Sequence, residues 1–454
     1  TFDSGESPER QFPESGSGGV GLIDFDGDGF LDVYCVQGGR FPPAPGRISN
    51  EDRLFRNRGD GTFDDVTKSS GIADFPGGYG HGVAVGDFNG DGRPDLFITR
   101  WRSYALYQNR GDGTFVDVTN VVGLGGDRDW PTSAAFADLD NDGDLDLYVC
   151  HYLLWDDVHP KICRHPQTGA ASYCDPSTLT HRPDHIFMND AGRFVDVTNE
   201  AGFIDPAGRG LGVVAADLDE DGRIDIYVAN DMSANYLFRN LGDFRFEEVG
   251  AASGVAANAA GGYQAGMGVG AGDLDADGRL DLVVTNFYGE STTLFRNLGG
   301  GIFSDNTAAF GLAVPTRFML GFGVAFIDAD NDRNLDLLIA NGHVNDFRPD
   351  TPYAMPTQLL LGSSRGRLTD VTNRIGRPFE KLRVGRGLAS GDIDNDGRID
   401  AIILAHNEPV TVLHNRTPHE NHFVTLRLEG TKSNRDAVGA RIREGNAQLD
   451  HVCS

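Results

Sequence analysis

Asp24-Phe25-Asp26-Gly27-Asp28-Gly29-Phe30-Leu31-Asp32 puts an acid at the first, third, fifth and ninth positions of a nine-residue turn. The pattern D-x-[DN]-x-D-x-x-x-D returns from Asp87, Asp138, Asp217, Asp273, Asp328 and Asp392, with starts 51 to 79 residues apart. Self-similarity at such a period marks a repeat architecture built from one supersecondary unit. A short apolar run such as Gly82-Val83-Ala84-Val85 precedes each turn, and a β-branched or aromatic run such as Leu96-Phe97-Ile98-Thr99 follows it. A third short strand comes next, as in Ala105-Leu106-Tyr107, and an Asn-x-Gly turn then leads to a fourth, as in Asn109 to Thr119. Four strands per repeat, with no sustained 3.6-residue periodicity, predict an all-β chain folded as a seven-bladed β-propeller.

The repeats span residues 16–415, and the long third interval carries an insertion at 151–185. After Asn415 no Phe-x-Asp-x-Thr strand follows, so the seventh blade needs its outer strand from elsewhere. Residues 1–15 are read as an N-terminal segment in which Thr1-Phe2-Asp3 is the tail of that blade-closing strand. With Thr1 where an initiator Met is expected, the chain reads as processed or cut from a longer one.

Alternating carboxylates around a glycine turn suit a hard cation, because calcium takes six to eight oxygens and accepts a backbone carbonyl at the seventh loop position. The expected ligands are Asp24, Asp26, Asp28, Phe30 and Asp32 in the first loop, and Asp87, Asn89, Asp91, Arg93 and Asp95 in the second. The third offers Asp138, Asp140, Asp142, Asp144 and Asp146, the fourth Asp217, Asp219, Asp221, Arg223 and Asp225. The fifth offers Asp273, Asp275, Asp277, Arg279 and Asp281, the sixth Asp328, Asp330, Asp332, Asn334 and Asp336, and the seventh Asp392, Asp394, Asp396, Arg398 and Asp400. Position seven varies freely, as a backbone ligand allows. An EF-hand is excluded, because its bidentate Glu at position twelve is replaced here by Cys35, Ile98, Val149, Val228, Val284, Ile339 and Ile403. Four carboxylates about 5 Å apart repel by about 5 kcal/mol per loop even in water, so an ion is expected to neutralise them. Up to seven calcium ions follow. The weakest sites are expected in the second loop, where Asn89 replaces a carboxylate, and in the sixth, where Arg333 replaces the position-six glycine.

The 454 residues carry 67 Asp plus Glu against 39 Lys plus Arg, a formal net charge of −28. That balance argues against a nucleic-acid partner, which needs a basic face. No apolar run is long enough to span a bilayer. The 61 glycines, with only 20 prolines and 39% hydrophobic residues, fit a turn-rich folded chain whose inner strands crowd a central channel.

The acidic loops between short strands, with their Asn-x-Gly-x-Gly-x-Phe-x-Asp-x-Thr turns, resemble the FG-GAP/VCBS repeats of integrin-α-like propellers. Beyond them, Asn421-His422-Phe423-Val424-Thr425-Leu426-Arg427-Leu428 and the stretch from Gly430 to Arg441 are similar to the opening of an ASPIC/UnbV domain. Residues 416–454 are therefore read as a partial ASPIC/UnbV module, and the whole as akin to the cartilage acidic protein-like family. The resemblance implies a secreted calcium-binding propeller, extracellular, periplasmic or at the cell surface. Extracellular-type calcium modules bind at about 10⁻⁴ to 10⁻³ M, so cytosolic calcium would leave such loops empty. A protein- or glycan-binding scaffold is the expected function. The alternative is an enzyme of lyase or hydrolase type, or a biosynthetic accessory protein.

In the insertion, Cys163 and Cys174 stand near His159 and His165. A disulfide, a transition-metal site of these four residues, and free thiols are all compatible with the spacing. Relatives of the family carry a similar Cys pair, which favours the disulfide. The Arg58-Gly59-Asp60 and Arg110-Gly111-Asp112 tripeptides belong to the repeat's own turn, and no nucleophile-and-base motif is present. Tyr79, His81, Trp130, Tyr263, Gln264, His343 and His406 recur at similar offsets from the acidic loops and are expected to converge on one propeller face as a ligand surface.

Overall fold

Each acidic turn joins two antiparallel strands, and in six of the seven repeats two further antiparallel strands complete a sheet among the described residues. In the second repeat these are Gly80–Gly86, Asp95–Arg100, Ser103–Asn109 and Phe115–Asp117, paired in chain order. The computed structural model describes residues 1–43, 51–203, 207–418, 423, 426, 428–440, 442–444 and 447–449. Its seven blades run from 20 to 65, 80 to 117, 131 to 196, 210 to 248, 269 to 305, 321 to 370 and 385 to 413. Six are four-stranded, and the seventh has three strands among the described residues. Each innermost strand lies against those of the blades before and after it, and the seventh lies against the first, so the ring closes. The chain is an all-β, seven-bladed propeller.

The glycine excess has a packing cause where inner strands meet. A methyl group added to Gly268 would fall 1.9 Å from the Phe322 carbonyl oxygen, and one on Gly387 would fall 2.2 Å from that of Gly18. Apolar side chains fill the wedges between blades. Ile23 and Phe25 of blade one pack with Leu96, Ile98 and Phe115 of blade two, for example. The Phe-x-Asp-x-Thr signature closes the outer strand of blades one, two, three and five. Asp65 Oδ1 accepts the Thr67 amide and hydroxyl, while Thr67 Oγ1 accepts the Leu54 amide at 3.0 Å.

One asparagine at the end of the third strand ties each blade to its predecessor. Asn109 Nδ2 donates to the Phe25 carbonyl at 2.8 Å, and Asn189 does the same to Phe88, Asn240 to Leu139, Asn297 to Leu218 and Asn415 to Ala329. Asn57 reaches back to Ile393 at 2.8 Å, joining the first blade to the last. In blade six Gly362 occupies this position, so the clasp to blade five is missing.

The N-terminal residues lie elsewhere than the expected outer strand of blade seven. The Phe2 amide donates to the Glu408 carbonyl beyond the second strand of that blade, and the segment then crosses the face opposite the acidic loops. The Tyr79 hydroxyl donates to the Ser4 carbonyl at 2.7 Å, and Arg386 Nε to that of Ser15 at 2.9 Å. Phe12 is 6% exposed and sits within 5.6 to 6.4 Å, ring to ring, of Trp130, Tyr152, Trp155 and Tyr173. Removing a buried aromatic ring costs about 3–5 kcal/mol. Phe12→Ala is therefore expected to lower the melting temperature by several degrees, read by calorimetry; an unchanged value would show that the segment does not pack there in solution.

Candidate functional site: the acidic loops

Two left-handed residues shape every loop. Positions four and six have positive φ in all seven, including the non-glycines Asn141, Glu220, Ala276, Asn331, Asn395 and, at position six, Arg333 (φ 74°). The sharp bend turns the carboxylates of positions one, three and nine inward. Oxygens of Asp24, Asp26 and Asp32 lie within 4.8 Å of one another, as do those of Asp138, Asp140 and Asp146, of Asp217, Asp219 and Asp225, and of Asp273, Asp275 and Asp281.

Position nine is the most constrained. Asp146 is 0% exposed; its Oδ2 accepts the Leu139 amide and its Oδ1 the Asn189 amide, both at 2.8 Å. The same pair of amides, from loop position two and the end of the third strand, holds Asp32, Asp95, Asp225, Asp281, Asp336 and Asp400. Burial pushes the carboxyls of Asp95 and Asp146 up to about 8 and those of Asp32, Asp225, Asp281 and Asp336 up to about 7, with Asp400 also raised.

Positions five and seven depart from a uniform ligand ring. Arg93, Arg223, Arg279 and Arg398 each pair with the position-five carboxylate of their own loop, namely Asp91, Asp221, Asp277 and Asp396. Their Nε atoms donate to the carbonyls of Asn109, Asn240, Asn297 and Asn415, stapling loop to third strand. The position-seven side chain thus has a role that its sequence variety conceals. Arg56 bridges Asp26 and Asp28, and Arg296 bridges Asp275 and Asp277, from the third strand. The corresponding residue in blade seven is His414, whose Nε2 is 2.8 Å from Asp394 Oδ2 and which groups with Asp394 and Asp400. These side chains went unread in the sequence because they lie 14 to 30 residues from the carboxylates they meet, on a strand defined only by the pairing. In the second loop Asn89 turns its amide to Asp91 at 3.2 Å.

The opposite face differs from expectation. Tyr79, His81, Trp130, His343 and His406 do reach it, yet each is buried, with exposures of 0 to 6%, beneath residues 1–15 and the insertion. The insertion arches over the ring from blade three, and its Tyr173 amide donates to Asn345 Oδ1, between the second and third strands of blade six, at 2.9 Å. Only Tyr263 of the expected set is strongly exposed, at 60%. Cys163 and Cys174 form a disulfide inside the insertion, which removes both thiolates from the transition-metal reading.

An FG-GAP-like repeat profile matches residues 24–98, 87–149, 217–284 and 273–339, together more than half of the chain. The chain belongs to the FG-GAP repeat family. Among curated relatives of this FG-GAP propeller is cartilage acidic protein 1 of Xenopus tropicalis, 24% identical over 386 residues, covering 80% of this chain and 54% of the relative. The Mus musculus protein of the same name is 25% identical over 380 residues, with the same coverages, and the Homo sapiens one 29% over 188 residues, covering 40% of this chain and 24% of the relative. The FG-GAP chain spans about half the length of the relatives it matches along most of its own. Solved structures similar to it include an Agrocybe aegerita lectin recognising non-reducing terminal N-acetylglucosamine, with TM-score 0.44 and 17% identity, covering 78% of this chain and 79% of that one. Another is BBS1N in complex with ARL6DN, with TM-score 0.46 and 8% identity, covering 88% and 93%. No helix among the described residues is long and apolar enough to cross a membrane.

Proposed function

We propose that this FG-GAP propeller is a calcium-stabilised scaffold that binds a protein or glycan ligand outside the cytoplasm. One observation carries the calcium reading. Asp24 Oδ1, Asp138 Oδ1, Asp275 Oδ1, Asp330 Oδ1 and Asp394 Oδ1 are buried in their loops without a hydrogen-bond partner. A buried polar atom left unsatisfied costs about 1–3 kcal/mol, and a hard cation with oxygen ligands satisfies it. The residues present fit calcium. The carboxylates of positions one, three and nine would hold each ion, position five joining as its arginine partner yields, with the position-seven carbonyl completing the set. Up to seven ions are proposed, bound most weakly in the second and sixth loops.

The domain assignment proposed is the propeller at 16–415 with its insertion at 151–185, preceded by the segment 1–15 and followed by a partial ASPIC/UnbV module at 416–454. The Cys163–Cys174 disulfide supports an oxidising compartment, extracellular, periplasmic or at the cell surface. Exposed rings on the connectors flanking blade five support the ligand-binding role. Tyr263 and Phe318 are each 60% exposed, and Phe318 lies 5.8 Å from Tyr288. A pull-down or glycan array with the calcium-loaded protein is expected to lose its hits with Tyr263→Ala combined with Phe318→Ala; undiminished binding would move the ligand surface elsewhere.

Burial of the position-nine carboxyls sets a pH dependence for the metal-free protein. Their folded values, about 7 to 8, exceed the ordinary value near 4, so the native state holds more protons than the unfolded chain between those limits. Their contribution to stability is complete below about pH 4 and is lost as pH rises through about 8. Metal-free protein is expected to melt lower at pH 8 than at pH 5, and calcium to raise the melting temperature more at pH 8. A calcium effect that is larger at pH 5 would contradict the assignment.

A further inference from the structure

We infer that the C-terminal turn 428–440 is latched onto the acidic-loop face in a cation-dependent way, with Asp436 on the second loop as the latch. The inference rests on the calcium reading of the loops. The Asp87 amide, at the first position of loop two, donates to Asp436 Oδ2 at 2.6 Å. The partner thus spans 349 residues of sequence and joins the C-terminal module to the loop that lacks a carboxylate at position three. Around this contact the turn is closely seated. A methyl group on Gly92 would fall 2.8 Å from Arg435 Nε, and one on Gly439 would fall 2.6 Å from Ile224 Cδ1 in loop four. Val438 packs against both the core between blades two and three and that between blades three and four. Asn434 is 3% exposed and fixes the turn, its Oδ1 accepting the Val438 amide at 2.7 Å.

Charge makes the latch conditional. The second loop already carries Asp87, Asp91 and Asp95, with Arg93 paired to Asp91. Docking adds the Asp436 carboxylate, whose charge acts on that of Asp87, while the Arg435 guanidinium that arrives with it is already paired with Glu429 of the same turn. Without an ion the added carboxylate is repelled; with a divalent cation in the loop it is attracted, and it restores the negative charge that Asn89 removes. Cation binding and docking are then linked, each strengthening the other by the same factor.

Trypsin reads the latch, because Lys432 and Arg435 lie in the exposed part of the turn. In the full chain, at a temperature where circular dichroism shows the propeller folded in both conditions, cleavage after these residues should be about tenfold faster in chelator than in calcium. Asp436→Asn, which keeps the shape and removes the charge, should bring the two rates within about twofold. Val438→Asp should speed cleavage in both conditions and weaken calcium at one calorimetric site by about tenfold, leaving the others unchanged. Equal wild-type cleavage rates, with calcium binding intact by calorimetry, would overturn the latch alone. Absence of calcium binding would overturn the loop reading and the latch together.

Discussion

Excess chelator is expected to lower the melting temperature of this protein by about 10–15 °C. A ligand that binds only the native state stabilises it by RT ln(1 + [L]/Kd), about 1.8 kcal/mol per site at about 2 mM calcium and a Kd near 10⁻⁴ M. Seven such sites in a ring whose blades share their cores contribute about 12 kcal/mol. An unfolding entropy of about 2.1 cal/mol/K per residue converts this to about 13 °C for a chain of this length. Differential scanning calorimetry in calcium and after chelation measures it directly. An unchanged melting temperature would mean that the arginine pairs at positions three and five, rather than an ion, suffice to neutralise the loops.

The second large effect is expected from Asp146→Ala. Asp146 is fully buried and accepts the amides of Leu139 and Asn189, so alanine leaves two buried donors without an acceptor. At about 1–3 kcal/mol each, plus the lost ion, the cost is about 4–8 kcal/mol, or about 4–8 °C by the conversion above. One calcium equivalent should disappear from the titration. Asp142→Ala, which removes an exposed position-five carboxylate from the same loop and leaves no buried donor without an acceptor, should cost at most the ion, about 2 °C. If the two variants melt alike, position nine is not the anchor of the loop.

The repeat made the architecture legible, because seven turns with fixed strand flanks leave few alternatives to a propeller. Local geometry inside the loops was equally legible, since the left-handed position six and the inward carboxylates follow from short-range sequence. What the sequence withheld depends on distant pairing. Arg56, Arg296 and His414 reach the loops only because the third strand lies beside the second. The cover over Tyr79, His81 and Trp130 could not be read from their offsets either, because Phe12 and the insertion arrive from outside the repeat. Histidines expected at a ligand surface are instead held neutral by burial, which pushes His81 and His343 down to about 4.

The missing asparagine at Gly362 sets the mechanics of the ring. Six joints are clasped, including the one between blades seven and one, where no peptide bond connects the two sheets. The joint between blades five and six relies on apolar packing, on the Thr285 hydroxyl donating to the Phe322 carbonyl at 3.0 Å, and on the peptide connector that also crosses it. Thermal breathing should start there, so amides of Gly321–Ile327 exchange with solvent sooner than those of Gly80–Gly86. The circle thus opens as a tethered hinge at an interior blade and stays shut at its non-covalent closure.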